Sequence, residues 1–247
     1  MCVVAIAGKM GSGKSTFAAA LQQEMDKGGN RWCRVAFADA LKEVAARIFS
    51  YPVGLTKSSW GKESDLVGTI TAPRCVSNTS DLMQILHGMT EEQCHVVQGV
   101  FEEHYNAEHV RSFTVAQTLQ FLGQAVRTAD PDYWVRLVET KIEALSGLGY
   151  TRVIIDDLRH SNEIAYINRL SESNKGVARI KIVDAGIPVQ VYQTRDPRHT
   201  SEVELDHYEG WDFIIKNKKT SVEALQPIAA QVAAFIESRG QNTISKC

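Results

Sequence analysis

The chain has 247 residues, of which 44% are hydrophobic and 23% charged, and its formal net charge is −2. This length predicts one large globular domain, or a domain that carries a substantial insertion. The near-zero charge argues against a general binder of nucleic-acid polymers or of membrane surfaces and favours a small-molecule partner.

The cysteines and the N-terminus both bear on the cellular compartment. The five cysteines are odd in number and include no C-x-x-C pair, which is typical of reduced thiols and not of a zinc site. No basic segment precedes a cleavage site, and no apolar run approaches 18 residues. We therefore expect a cytoplasmic protein, in the host cytoplasm if a phage encodes it, without a membrane span.

The first predicted strand, residues 3–7, leads directly into a glycine-rich loop. Residues 8–15 read G-x-x-x-x-G-K-S, the pattern of a phosphate-binding loop. Its glycines let backbone N–H groups point at phosphate oxygens, and the next helix presents the positive end of its dipole. Lys14 would reach the β- and γ-phosphates with few packing contacts of its own, and Ser15 would hold Mg²⁺. An unliganded turn would not need these two residues. The buried face of the helix is predicted at Phe17, Leu21 and Met25.

A second strand over residues 33–37 and a helix over about 41–49 follow, and this alternation predicts a parallel sheet. Asp39 and Lys42 lie at the junction, on the edge where open α/β sheets bind ligands. Lys42 is therefore a candidate for a substrate phosphate. A solvated pair at the start of a helix is the alternative.

Residues 51–111 lose this regular pattern. We interpret them as an insertion over the core, with helical segments at 80–86 and 91–105. The spacing of the histidines and Cys94 in this region matches no common zinc pattern, so no metal site is expected there.

Two further helices are predicted after the insertion, one over residues 114–126 and one that has Pro131 in its first turn. Arg127 lies between them. It either caps carbonyl groups at the helix end or binds a phosphate.

The third strand, residues 152–157, ends in two acidic residues, as in the second half of a phosphate-loop nucleotidase. Asp157 can orient Mg²⁺ or its water opposite the loop. Arg159 and Glu163 follow at once. Strands over 177–183 and 213–215 complete the sheet, and a helix with a Thr220–Glu223 capping box precedes a tail over 241–247.

The loop between the last two strands carries Arg195 and Arg198. Two arginines on such a loop could close over transferring phosphates as a lid, here about residues 194–210. A solvated charged loop is the alternative.

In this order the segments resemble the phage-type deoxynucleoside monophosphate kinases, a branch of the phosphate-loop nucleoside monophosphate kinases. Beyond the loop, residues 37–42 are similar to F-A-x-x-L-K, and 119–135 to L-Q-x-x-G, R and D-x-W-V in succession. Residues 157–163 match D-x-R-x-x-N-E, 199–202 match H-x-S-E, and 212–217 match D-x-x-I-x-N. Ala116 replaces an arginine that is common in the family.

The resemblance implies a single kinase domain over 1–240: a five-stranded parallel sheet flanked by helices, with a helical substrate-binding insertion at 51–111 and a lid loop. ATP and Mg²⁺ would be used to phosphorylate a deoxynucleoside monophosphate. Implied catalytic residues are Lys14, Arg127, Asp157, Arg159 and Arg195. Implied nucleotide-binding residues are Gly8, Gly11, Ser12, Gly13, Lys14, Ser15, Thr16 and Asn217, with Ser15 and Asp157 at the metal. Implied substrate-binding residues are Lys42, Gln120, Arg127, Arg159, Glu163, His199 and Glu202.

Two alternatives stay open. The animal-type phosphomevalonate kinases are similar over several of the same blocks, and a nucleotide-binding switch would hydrolyse ATP without an acceptor. The arginines beside Asp157 speak against a switch, because a switch needs no second phosphate site. The number of subunits is also open, with a homodimer as one option.

Overall fold

A computed structural model describes residues 1–29, 31–56, 78–108, 114–173, 176–184, 200–218 and 223–244. A five-stranded, all-parallel sheet runs through the structure in the strand order β2-β3-β1-β4-β5. This confirms the predicted α/β class and is consistent with a phosphate-loop fold. The strands are β1 Cys2–Ala7, β2 Cys33–Val35, β3 Arg152–Leu158, β4 Gly176–Asp184 and β5 Phe213–Asn217.

The register of the central strands brings three loops to one edge of the sheet. Ala7 at the end of β1 aligns with Leu158 of β3 on one side and with Lys181 of β4 on the other. Because parallel strands end at the same edge, the segments that follow β1 and β3 meet there. β1 can occupy the centre because Val3, Val4, Ala5 and Ile6 are fully buried.

Helices flank the sheet and build the region between β2 and β3. In chain order they are α1 Lys14–Asp26, α2 Phe37–Phe49, α3 Thr79–Ile85, α4 Glu91–Glu108, α5 Val115–Ala129, α6 Tyr133–Gly147, α7 Ser161–Glu172, α8 Thr200–Val203 and α9 Gln226–Ile244. Short 3₁₀ turns occupy Val53–Thr56 and Glu223–Leu225. No helix in the described ranges is long and apolar enough to cross a membrane.

The chain divides into two compact units. Unit 1 contains the described residues of 1–37 and of 138–244, and unit 2 contains those of 38–137. The core of unit 1 lies between the sheet and helices α1 and α9, and the predicted α1 face of Phe17, Leu21 and Met25 is fully buried in it. Pro227 is tolerated in the first turn of α9, where an N–H would have no helical partner.

Unit 2 has its own core, formed by α2, α3, α4 and α5 and the first turn of α6. Phe101 is fully buried and packs edge-on against Phe121, with 4.7 Å between the ring centroids. The predicted insertion, residues 51–111, thus contributes helices to a larger unit that begins at Ala38 and ends at Leu137. Residues 57–77 and 109–111 of that insertion lie outside the described residues.

Three predicted boundaries differ from the structure for local reasons. β2 ends at Val35, not Phe37, because the Phe37 amide donates to the Asp157 side chain and not to the sheet. α5 runs to Ala129, and α6 begins only at Tyr133, since Asp130 accepts the Asp132 amide in a turn that keeps Pro131 out of the helix.

The C-terminal helix also differs from its predicted bounds. Thr220, and with it the predicted capping box, lies outside the described residues. α9 extends to Ile244, so it includes four residues that the sequence assigned to a tail.

Candidate functional site

The loop after β1 requires glycine at two positions. Gly8 has φ +151°, and a Cβ there would lie 2.5 Å from the carbonyl oxygen of Ile182. Gly13 has φ +91°, and a Cβ there would overlap the side-chain amide of Asn217. A larger residue at either position would be strained and would displace its neighbour. The backbone therefore adopts the close turn that the sequence pattern predicted.

α1 begins at Lys14 directly after this turn. Gly13 is its N-cap residue and offers no side chain to the first amides, which leaves the positive end of the helix dipole uncapped. Ser15 and Thr16 are exposed on this first turn. The helix start thus presents the N–H groups and hydroxyls that an anion and its metal ion would use.

Lys14 is buried, contrary to the expectation that it makes few packing contacts. Its side chain folds back over the loop, and Nζ donates to the carbonyl oxygens of Gly8 at 2.6 Å and Lys9 at 2.8 Å. Burial and then the nearby Arg159 guanidinium lower the pKa of Lys14 to about 7, although Glu202 acts in the opposite direction. Burial and repulsion from Arg159 both disfavour the charged form of Lys14, and a bound anionic ligand would restore it.

Ser12 and Asn217 connect the loop to the sheet. Asn217 ends β5, is 7% exposed, and donates from Nδ2 to the Ser12 carbonyl oxygen at 2.9 Å. Asn217 was predicted to bind nucleotide. In the structure, its hydrogen bond holds the loop at the end of β5. The Ser12 hydroxyl is buried and has no hydrogen-bond partner within the described part of the chain. A buried hydroxyl without a partner costs about 1–3 kcal/mol, which a bound phosphate oxygen would offset.

The two acidic residues of β3 differ in their surroundings. Asp156 is buried and forms an ion pair with Arg34 of β2. Asp157 accepts the Phe37 amide with Oδ1 at 2.9 Å. Sequence reasoning assigned Asp157 to Mg²⁺, and the structure shows that one of its oxygens also fixes the chain after β2.

Metal binding at this edge would depend on ligands other than a protein cage. No group of three or more His, Cys, Asp or Glu side chains suited to a metal ion occurs among the described residues. Mg²⁺ commonly takes one or two protein oxygens and completes its octahedron with phosphate oxygens and water. Ser15 and Asp157, the two residues predicted for Mg²⁺, are oxygen ligands of this kind.

Glu163 supports the loop after β3. It is 1% exposed, and its Oε2 accepts the amides of Arg159 at 2.8 Å and His160 at 3.0 Å. The resemblance implied substrate binding by Glu163. In the structure this carboxylate lies beneath the backbone that carries Arg159, where it fixes the start of α7.

The segment of residues 200–206, which comprises α8 and the turn after it, contacts the loops that follow β1 and β3. Glu202 accepts the Met10 amide at 2.7 Å and pairs with Arg159. Asp206 pairs with Lys9 at 2.8 Å, and Glu204 accepts the Ser161 amide at 2.8 Å. A cavity of about 370 Å³ lies among these groups, lined in part by Ala7, Leu158, Lys181, Val183 and Leu205.

Sequence reasoning missed two of these carboxylates, Glu204 and Asp206. The available signal was the alternation of acids at 202, 204 and 206, which follows the H-x-S-E block directly. Which basic or amide groups they contact depends on the sheet order, which places the β1 and β3 loops side by side.

Three predicted substrate-binding residues lie in unit 2. Lys42 pairs with Asp39 at 3.1 Å. On α5, Arg127 Nη1 donates to the Gly123 carbonyl oxygen at 3.3 Å, and Gln120 lies on the same helical face. Gln120 has a buried Nε2 without a hydrogen-bond partner within the described ranges. Arg195, Arg198 and His199 lie outside the described residues.

No family model matches the chain, and no curated protein matches it.

Proposed function

We propose that the chain transfers the γ-phosphoryl group of ATP to a deoxynucleoside monophosphate. The observation that carries the proposal is the loop of residues 8–15, where glycines permit a tight turn around a buried Lys14 at an uncapped helix start. This combination fits a chain of phosphate groups better than it fits a neutral or cationic ligand.

Arg159 supports an acceptor that itself carries a phosphate. The loop and Lys14 supply the groups needed for a donor nucleotide, and Arg159 adds a second cation within the same unit. A nucleotide switch needs no second phosphate site. A guanidinium binds phosphate through two parallel N–H groups, which orients the acceptor as well as neutralising it.

The chemistry needs little from the protein beyond position and charge. A monophosphate is already anionic at neutral pH, so its oxygen can attack without a strong general base. In the proposal, Lys14 and the loop amides hold the donor, Ser15 and Asp157 serve Mg²⁺, and Arg159 holds the acceptor phosphate. Mg²⁺, when bound, supplies charge neutralisation of the phosphates. Lys42, Gln120, Arg127 and His199 stay predicted acceptor residues from the resemblance. Arg195 stays a predicted catalytic residue that acts on the donor phosphates.

The test is ADP formation from ATP with a panel of acceptors. We expect turnover with one or more deoxynucleoside monophosphates and little with no acceptor. The panel includes ribonucleoside monophosphates, and mevalonate phosphate as the outlier. Turnover with mevalonate phosphate alone favours the phosphomevalonate kinase alternative, and acceptor-independent hydrolysis favours the switch. The Lys14→Ala protein is the control, and wild-type-like turnover in it, with an unchanged circular dichroism spectrum, contradicts the loop assignment.

A further inference from the structure

One carboxylate in unit 1 joins the phosphate loop to Arg159. Glu202 Oε2 accepts the Met10 amide at 2.7 Å, and its Oε1 pairs with Arg159 Nη1. The Glu202 side chain is only 7% exposed. Burial raises the pKa of Glu202, but Arg159, the Met10 amide and Lys14 together outweigh burial and hold it below its usual value. Glu202 is therefore ionised at neutral pH, with both oxygens engaged by the protein.

The contact with Glu202 uses only one end of the Arg159 guanidinium. Nη1 donates to Glu202 and, at 3.1 Å, to the Ser201 carbonyl oxygen. Within the described ranges, Nε and Nη2 of Arg159 donate to no residue. These two groups form one straight edge of the guanidinium, the kind of edge that binds a phosphate or carboxylate through two parallel hydrogen bonds.

We propose that Glu202 is a positioning residue, which holds Arg159 so that its Nε–Nη2 edge faces the acceptor phosphate at a set distance from the phosphate loop. This inference rests on the proposed kinase function. The resemblance implied that Glu202 binds substrate. A buried anion whose oxygens already accept from Met10 and Arg159 acts on the substrate through those two groups.

The segment that carries Glu202 is attached to the rest of unit 1 by other contacts as well. Asp206 pairs with Lys9 at 2.8 Å. Glu204 accepts from the Ser161 amide at 2.8 Å, and Lys181 Nζ donates to the carbonyl oxygen of Leu205 at 3.2 Å. Replacing Glu202 should therefore leave this segment in place. What changes is the orientation of Arg159 and of the Met10 amide.

A glutamine cannot replace Glu202 at this position. Two donors, the Met10 N–H and the Arg159 guanidinium, converge on the carboxylate, whereas an amide offers one acceptor oxygen and one NH₂ group. In Glu202→Gln the NH₂ group would face one of the two donors. Glu202→Asp retains the charge but is one methylene shorter, so it can keep part of the arrangement.

The test is a double-mutant cycle in steady-state kinetics with Glu202→Gln, Arg159→Gln and the double variant. We expect Glu202→Gln to lower kcat/KM for the monophosphate about 10- to 100-fold, because misplacing a binding group by about 1 Å has that order of effect. The KM for ATP should change less than about threefold. In the Arg159→Gln background the Glu202 substitution should add less than about threefold. Glu202→Asp should recover part of the loss.

Glu209→Gln is the matched control, because it removes an exposed carboxylate a few residues after Glu202 that the candidate site does not include. It should change kcat/KM less than about threefold. Two outcomes would overturn the positioning role. One is a double variant whose losses multiply. The other is a Glu202→Gln defect that vanishes with a 3′-deoxy acceptor, which would show direct contact between Glu202 and the sugar.

The same proteins separate this inference from the proposed function. A wild-type chain that phosphorylates no acceptor overturns the function, and the acceptor role of Glu202 with it. If the wild type is active, urea unfolding of the four proteins tests the ion pair itself. Additive free energies of unfolding would show that Glu202 and Arg159 do not interact, which overturns the positioning role alone.

Discussion

Gly13 is one of two positions, with Gly8, where the loop leaves no room for a side chain. Its φ of +91° is unfavourable for other residues, and a Cβ there would meet the Asn217 amide. That amide donates to the Ser12 carbonyl oxygen, so it cannot move aside without losing its hydrogen bond. Two separate costs, backbone strain and overlap, thus act at one residue.

Gly13→Ala should therefore destabilise the chain more than an equivalent change at Gly149. Gly149 also has a positive φ, +84°, but no atom of the described residues lies within 4 Å of the position that a Cβ would occupy there. We expect Gly149→Ala to cost roughly 1–2 kcal/mol of unfolding free energy. Gly13→Ala should cost about 1–3 kcal/mol more and weaken ADP binding. Urea unfolding measures the free energy of unfolding, and calorimetric titration measures ADP binding. Equal losses of unfolding free energy in the two variants would contradict the close approach to Asn217.

At the scale of elements, the joint between α5 and α6 depends on Asp130. This residue is 7% exposed, accepts Arg136 Nη1 at 2.9 Å and accepts the Asp132 amide at 3.2 Å. The hydrogen bonds from Arg136 outweigh burial and lower the pKa of Asp130 below its ordinary 3.8. Asp130 thus lies at the end of α5, orders the turn that contains Pro131 and contacts the first turn of α6.

Asp130→Asn should destabilise the chain in a pH-dependent way. A carboxyl whose pKa is lower in the folded state stabilises the fold above its unfolded pKa, and this contribution disappears as the pH falls through the folded value. We expect the free energy of unfolding to fall by about 1–2 kcal/mol at pH 7, because the buried charged hydrogen bond to the half-exposed Arg136 is lost. Denaturant unfolding at pH 7 and below pH 3.8 measures the difference, which should shrink at the lower pH. Glu103→Gln, an exposed change on α4, is the control, and a pH-independent loss for Asp130→Asn would contradict the ionic contribution.

At the scale of the whole molecule, the two units have separate cores and different roles in the proposal. The loop, Asp157, Arg159 and Glu202 all lie in unit 1, whereas Lys42, Gln120 and Arg127 lie in unit 2. Because the proposed donor-binding groups all lie in unit 1, nucleotide binding by the whole chain tests them before any acceptor is identified.

ADP with Mg²⁺ should raise the melting temperature of the wild-type chain. At a ligand concentration about 100 times Kd the stabilisation is about 2.7 kcal/mol, or roughly 5–10 °C for a chain of this length. Lys14→Met should remove most of the shift without lowering the melting temperature of the unliganded protein, because it replaces a buried cation with an apolar side chain. Chelation of Mg²⁺ by EDTA should reduce the shift in the wild type. A shift in Lys14→Met as large as in the wild type would contradict nucleotide binding at this loop.

The sequence by itself determined the α/β class, the phosphate-loop pattern and the buried face of α1. These features follow from local rules: apolar runs for buried strands, period 3.6 for helices, and glycines before a lysine and a serine. The buried residues Phe17, Leu21 and Met25 are where the pattern placed them.

Only the tertiary structure decided which groups face one another at the edge of the sheet. Because β3 and β4 flank β1, Glu202 reaches both Met10 and Arg159, residues that are 192 and 43 positions away in the chain. The same packing buries Lys14 and places Glu163 and Asn217 beneath the backbone they support. A sequence pattern carries no information on such distant pairings, since they are set by strand order and register and not by the spacing of residues along the chain.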